Sequence, residues 1–266
     1  MTAEVPTSGE IELLFLGTGT SAGVPMIACE CAVCLSEDPK DKRTRCSVVI
    51  GYGQTKVLID TTPELRLQAV AQRLMRIDAV VYTHAHADHL MGMDDLRRFN
   101  AVRGGPLDVW ADDQTFRQID TTFGYAFRAP DPTARVFRPN LRRRMIEGNF
   151  EIGGMTWRPI PMWHGKMPVL GFRVGNLAYC TDVSHLPSES LDMLRELDVL
   201  VIDGLEFKEH PTHFSIPQAL EVIAEVKPRR ALITHIAHTV AHELVNRNLP
   251  AGVELAYDGL TVRASA

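Results

Sequence analysis

The chain has 266 residues, 45% of them hydrophobic and 23% charged, and 28 Lys and Arg against 33 Asp and Glu give a formal charge of −5 at pH 7. That length buries roughly 75% of the unfolded surface without disulfides, and the acidic balance runs opposite to that of a general nucleic-acid binder. No apolar run reaches the roughly 18 residues of a membrane helix, and the opening MTAEVPTSGE lacks the basic-then-apolar pattern of a secretion signal.

In chain order, IELLFLG from Ile11, CSVVIGYG from Cys46, KVLID from Lys56 and AVVYTH from Ala79 read as strands. All are short, branched and bounded by turn residues. Residues 63–75 read as a helix with Pro63 at its start, and a second helix is expected over about 93–98. The span 116–149 shows little periodicity and much Arg and Pro, and reads as a connection between two halves. Strands resume with FEIGG, MTWRPIPM, LGFRVG and NLAYCTD. Helix and strand then alternate through 187–197, DVLVIDG, 216–226, RALITH, 240–247, ELAYDG and LTVRA. No sequence repeat is visible. The alternation predicts an α/β protein with buried sheets. Asp60, His84, Asp182 and His235 each fall at the C-terminal end of a predicted strand or just beyond, where ligand sites of α/β sheets gather.

THAHADHLMG places His84, His86, Asp88 and His89 directly after the strand AVVYT. Imidazole and carboxylate are the ligands that borderline and hard divalent ions accept, and an irregular loop can aim them at more than one centre. No G-x-S-x-G elbow supplies a serine nucleophile. Gly17, Gly19 and Gly23 form no phosphate loop, since no G-K-[ST] follows.

Five cysteines are present, three of them in CECAVC as Cys29, Cys31 and Cys34. Such a C-x-C-x₂-C run wraps one zinc and leaves a fourth position open, which favours metal binding over redox-reactive thiols and a reducing cytoplasm over an oxidising compartment. A closed thiolate site lacks a water position, so this is not expected to be the catalytic centre. Arg135, Arg138, Arg142, Arg143 and Arg144 make the one basic stretch; a solvated loop or edge strand is favoured over a phosphate-attracting rim.

The H-x-H-x-D-H run after a strand resembles the hallmark of the metallo-β-lactamase superfamily, and the likeness extends over about residues 11–263. The resemblance implies a four-layer αββα sandwich of two similar halves. They would form one hydrolase domain over 1–266, with 10–130 carrying the cysteine loop and 145–266 the second half. Asp60 in LID matches the family's supporting acid, His164 in PMWHG its third motif, Asp182 in YCTD its fourth and His235 in LITHI its fifth. Two divalent ions are thereby implied, zinc or manganese. His84, His86 and His164 would hold one, Asp88, His89 and His235 the other, with Asp182 bridging and a shared water activated as hydroxide.

LFLGTGTSAGVP followed by CECAVC resembles the PhnP-like branch, phosphodiesterases acting on a ribosyl cyclic phosphate. In that branch a histidine three residues past the last catalytic one completes a structural zinc site. His238 matches it, with Cys46 and His242 as competitors and Cys180 as a packing thiol. HPTHFS places His213 where the branch carries a histidine assisting the leaving group, so Asp88 and His213 are the expected catalytic residues. His210 and His185 are weaker candidates, and Asp203 is expected to orient a ligand.

The implied activity is hydrolysis of a small cyclic phosphodiester in the cytoplasm, with a small-molecule partner, no membrane or nucleic-acid partner, and a homodimer left open. The alternatives are a tRNA 3′-processing-type nuclease and a non-catalytic metal- or cofactor-assembly protein related to the pyrroloquinoline-quinone family. Thioester and lactam hydrolysis use the same scaffold. Residues 112–144 match no motif and are expected on the substrate rim.

Overall fold

The computed structural model describes residues 9–129 and 137–266. Strands β1 (Glu10–Gly17), β2 (Ser47–Tyr52), β3 (Thr55–Ile59), β4 (Ala79–Val81), β5 (Leu107–Ala111) and β6 (Leu141–Met145) lie side by side in chain order. A second sheet contains β7 (Phe150–Ile152), β8 (Met155–His164), β9 (Met167–Val174), β10 (Leu177–Cys180), β11 (Val199–Asp203), β12 (Arg230–Thr234) and β13 (Val253–Leu255). The last strand, β14 (Thr261–Ser265), crosses back to pair antiparallel with β1. Each sheet begins with antiparallel hairpins and continues with parallel strands, β3 to β6 in one and β10 to β13 in the other. The two halves are thus similar in plan, although β6 and β14 carry the first sheet past the expected boundary at 130.

Alternation in β1 shows how the layers form. Ile11, Leu13 and Phe15 point between the sheets, into one buried cluster with Trp157, Phe172 and Tyr179. Leu14 and Leu16 point outward, under helices. Helices α1 (Leu65–Ala71), α2 (Ala87–Leu90), α3 (Leu96–Arg103) and α4 (Asp113–Phe123) belong to the first half. The second half has α5 (Ser188–Asp192), α6 (Ile216–Val226) and α7 (His242–Asn246). Leu65, Leu96, Phe99 and Phe116 pack on the outer face of the first sheet, and Ile216, Ala219, Ile223 and Val245 on that of the second. Strands covered on both faces read as continuous apolar runs, and the result is the expected αββα sandwich. In α6 the local signals agree: Ser215 and Gln218 form a capping box, proline stands in the first turn, and the buried residues recur at helical spacing.

The span 116–149 is not the connection its sequence suggests. Asp112 caps α4 by accepting from Thr115 N at 2.8 Å, and Phe116, Ile119 and Phe123 line its buried face. Beyond it β6 extends the sheet in parallel. Arg135 lies outside the described residues. Arg142 and Arg144 pair with Asp108 at 2.7 and 3.3 Å, while Arg143 pairs with Asp120 and stacks over Phe116 and Phe127. Arg138 is taken up by backbone carbonyls of 125–129 and Pro139. These contacts match the edge-strand reading of the basic stretch. The helix expected over 63–75 is shorter, because Arg73 turns left-handed at φ 51°, and the one expected over 93–98 continues to Arg103, where Gly104 ends it at φ 73°.

Candidate metal centre

Three of the sequence-selected residues share one backbone feature. Asp60 follows β3 with φ 63°, Asp182 lies just past β10 with φ 55°, and His235 follows β12 with φ 59°. Left-handed backbone costs a non-glycine residue about 1–2 kcal/mol, and such residues cluster where function over-determines the geometry. All three side chains are buried at the strand ends. His84 lies just past β4, His164 closes β8 and Asp203 closes β11.

Close backbone approach holds these ends in place. Thr61 N donates to His89 O at 2.7 Å and Gly92 N to Thr61 O at 3.0 Å, so α2 lies tight against the Asp60 turn. A Cβ at Gly92 would come within 2.0 Å of the Thr62 carbonyl oxygen, which explains the glycine ending DHLMG. On the other side, Ile236 N donates to Thr18 O at 2.9 Å and Thr20 N to Ile236 O at 3.2 Å. The GTGTS loop therefore braces the chain beside His235.

The partners of the imidazoles fix their protons. His89 Nδ1 donates to Asp60 Oδ2 at 2.8 Å and His164 Nδ1 to the Thr212 carbonyl at 2.6 Å. Thr83 Oγ1 gives its single proton to Asp60 Oδ2 at 2.8 Å, so 2.9 Å from His84 Nδ1 it can only accept. In all three rings Nδ1 is thus the anchored donor and Nε2 the atom left for a ligand, as for metal-binding histidines held from behind.

The centre is short of partners. His84 Nε2, His89 Nε2 and both ring nitrogens of His235 are buried with no hydrogen bond. His89 Nε2 lies 3.2 Å from Asp182 Oδ1 and 3.4 Å from Asp88 Oδ2, and His235 Nε2 lies 3.4 Å from Asp182 Oδ2. Among the described residues no Lys or Arg pairs with Asp60, Asp88, Asp182 or Asp203. Burial opposes charge on His89, but Asp182 and Asp60 hold its imidazolium well above the usual histidine range. His235 is likewise pushed up to about 9, against its burial, by Asp182 and Asp88. Burial and His89 hold His84 well below the usual range. Asp182 stays well below the ordinary carboxylate range despite burial, through His235 and His89. Asp88, held low against its burial by His235 and His89, and Asp182 thus remain ionised, and protons on His89 and His235 supply the positive charge that divalent ions would bring. Orphaned imidazole nitrogens facing ionised carboxylates fit such ions.

Donor atoms within 4.8 Å of one another fall into four overlapping sets: Asp88, His89, Asp182 and His235; His84, His86 and Asp182; His164, Asp182 and His213; and Asp203, His213 and His235. Asp182 belongs to the first three. The His164 ring is 5.8 Å from that of His84 and 5.1 Å from that of His86. His213 stands beside His164 and His235, each ring centroid 4.5 Å away, and its Nδ1 donates to Asp203 Oδ2 at 2.7 Å. His210 is exposed, 5.2 Å from His213. His185 is exposed and meets Trp163 through its backbone.

The cysteine cluster forms a separate set. Cys29, Cys31, Cys34 and His238 present donor atoms within 4.8 Å of one another. His238 Nδ1 lies 3.4 Å from both Cys29 Sγ and Cys31 Sγ; a tetrahedral zinc with its usual bond lengths sets that edge near 3.5 Å. The hydrogen bond with His238 draws the Cys31 thiol down to about 6, and burial raises that of Cys34. The two competitors are elsewhere. Cys46 is buried against Thr234 Oγ1 at 3.4 Å, and the His242 ring packs on Tyr257.

Sequence reasoning missed Thr83, the Thr212 carbonyl and the helix α4. The spacing of Phe116, Ile119 and Phe123 after Asp112 was a signal for that helix.

Residues 55–236 match the family described as the Beta-lactamase superfamily domain. A crystal structure described as a new diphosphatase from the PhnP family is 40% identical and covers 96% of this chain and 98% of its own, with a TM-score of 0.90. Zn(2+)-bound PqqB from Methylobacterium extorquens, 19% identical, covers 94% of this chain and 99% of its own at a TM-score of 0.77, a likeness of fold. An octanoyltransferase of Porphyromonas gingivalis is 36% identical over 251 residues, which are 93% of this chain and 50% of that protein. The chain therefore spans about half the length of that curated relative. With the profile match across both sheets and the near-complete likeness to a PhnP-family structure, the chain belongs to the metallo-β-lactamase superfamily and, within it, to the PhnP-like branch of metal-dependent hydrolases.

Proposed function

We propose that this chain is a metal-dependent phosphodiesterase acting on a small phosphodiester. The observation that carries this reading is the position of Asp182, which one set of donors shares with His84 and His86 and another with Asp88, His89 and His235. One carboxylate serving two donor sets suits a pair of divalent ions held side by side by these residues. His84, His86 and His164 would hold one ion and Asp88, His89 and His235 the other, zinc and manganese both suiting these ligands. Cys29, Cys31, Cys34 and His238 would hold a structural zinc. When bound, the ion pair supplies neutralisation of phosphoryl charge and activation of water near neutral pH.

The chain's own groups orient and protonate. Asp60 and Thr83 hold His84 and His89 with Nε2 inward, and Thr212 does the same for His164. Asp203 accepts a hydrogen bond from His213 Nδ1, which leaves Nε2 as the atom to face the substrate. Protonated at Nε2 as well, the ring would donate that proton to the departing oxygen, becoming neutral, or a hydrogen bond to the phosphoryl group.

A cyclic ribosyl phosphate and a disubstituted diphosphate look alike at the reacting phosphorus, with one negative charge and two bridging oxygens. The resemblance to ribosyl cyclic phosphodiesterases supports the first and the diphosphatase relative the second. A nuclease needs a basic grip on RNA, and the ion-paired arginines of β6 speak against one. A cytoplasmic location suits the thiolate cluster, which a reducing compartment preserves.

Elemental analysis of the purified protein, joined to assays on bis-(p-nitrophenyl) phosphate, a ribosyl cyclic phosphate, a disubstituted diphosphate, a lactam and a thioester, tests the proposal. About three ions per chain and diester turnover are expected. A single ion with no diester cleavage overturns the proposal and favours the assembly-protein alternative.

A further inference from the structure

Beside the centre lies a cavity of about 220 Å³, lined by His84 and His86 on one wall, Gln114 and Gln118 of α4 on another, and Met167 and Pro168 at the start of β9. Gln114 and Gln118 are four apart, on the face of α4 opposite Phe116, Ile119 and Phe123, and both are exposed. Their side-chain amides make no hydrogen bond with any described residue. Met167 pairs with His164 across the β8–β9 hairpin, which sets an apolar wall against the metal-facing histidines.

Volume and chemistry limit what fits. Clefts that take a whole drug-sized ligand run to about 300–1,000 Å³, so this cavity takes one ring and not a complete nucleotide. No Lys, Arg, Asp or Glu lines it, so at the glutamine wall, away from the histidines, a second phosphate or a carboxylate would find no charged side chain to pair with. A glutamine amide offers two donors and an acceptor, a match for adjacent donor and acceptor groups on a neutral ring. Position then says which half of the substrate enters. His213 lies against His164 and His235, whereas the cavity opens on His84 and His86, with His164 between the two sides.

We infer that Gln114 and Gln118, backed by Met167 and Pro168, form the subsite for an uncharged polar ring on the substrate half that keeps the phosphate, while His213 attends the half that leaves. The inference rests on the phosphodiester reading. The shared chemistry is a ring with neighbouring donors and acceptors, supplied either by a sugar diol or by a base edge.

The test compares three p-nitrophenyl phosphodiesters that release the same leaving group and differ in the retained one: methyl, ribose 5-yl and thymidine 5′-yl. The metal-loaded protein is assayed alongside Gln114→Ala/Gln118→Ala, with melting temperature as the folding control, since alanine favours an exposed helix position. The parent should prefer a ring-bearing ester, and the double variant should reduce that preference about tenfold, mainly through KM, the effect of one or two net hydrogen bonds. A stronger fall for the ribose ester identifies the diol, and for the thymidine ester the base edge. Turnover with an unaltered preference removes the subsite and leaves the phosphodiester reading standing. A parent inert toward all three esters removes that reading and the subsite together.

Discussion

The His/Asp centre and the cysteine cluster come within three residues of each other in sequence, at His235 and His238, yet they are built on opposite plans. The first is gathered from strand ends of both sheets, with side chains buried except for the exposed His86 and the partly buried Asp88, and three residues held in left-handed backbone. Nε2 of His84, His89 and His235 is left there without a hydrogen bond. The second is a short loop joined by one distant histidine, half-buried, with three sulfurs and one nitrogen within 4.8 Å of one another. A reacting centre needs open positions and ligands held by a rigid frame. A clamp on a loop needs only a closed donor set.

The contrast can be broken most directly at Asp182. Asp182→Ala should lower kcat/KM on a diester by at least about a thousandfold and release metal from the centre but not from the thiolates. Full turnover with metal content unchanged would refute a shared carboxylate. His213→Gln should cost about a hundredfold with alkoxide leaving groups and far less with p-nitrophenolate, which needs no proton. Equal losses for both would make His213 structural.

Asp60→Asn replaces one of the two accepting oxygens behind Thr83 and His89 with an NH2 donor, removes the negative charge, and should weaken metal affinity by about 10–100-fold, measured by competition with a chelator. Unchanged affinity would show that Asp60 braces nothing. Cys31→Ser should act on the other cluster alone, releasing one zinc per chain and lowering the melting temperature by roughly 5–10 °C, as expected for a loss of about 2–3 kcal/mol at this chain length. A larger fall in turnover than Asp60→Asn produces would mean that the loop between His235 and His238 couples the two sites.

Much of this was legible before the fold. His84, His86, Asp88 and His89 are adjacent in the chain, so their joint chemistry needs no tertiary information. CECAVC is local in the same way. Helix α6 was delimited at 216–226 because cap, proline and apolar spacing agree. Helix α4 was missed because its apolar face is sparse, Phe116, Ile119 and Phe123 being set among Thr, Asp, Gln and Arg. Its burial comes from the sheet beneath it, a contact that propensity does not contain.

The sequence by itself determined the donor types, their attachment to strand ends and the alternating pattern that makes two buried sheets, since these depend on residues close together in the chain. Only the tertiary structure decided that Asp182 stands among three donor sets, that Asp60 and Thr83 fix the protons of His84 and His89, that His238 and not Cys46 or His242 joins the cysteine sulfurs, and that Gln114 and Gln118 line a cavity with His84 and His86. Each of those facts depends on the distance between side chains far apart in sequence, which is set by how the two sheets and their helices pack.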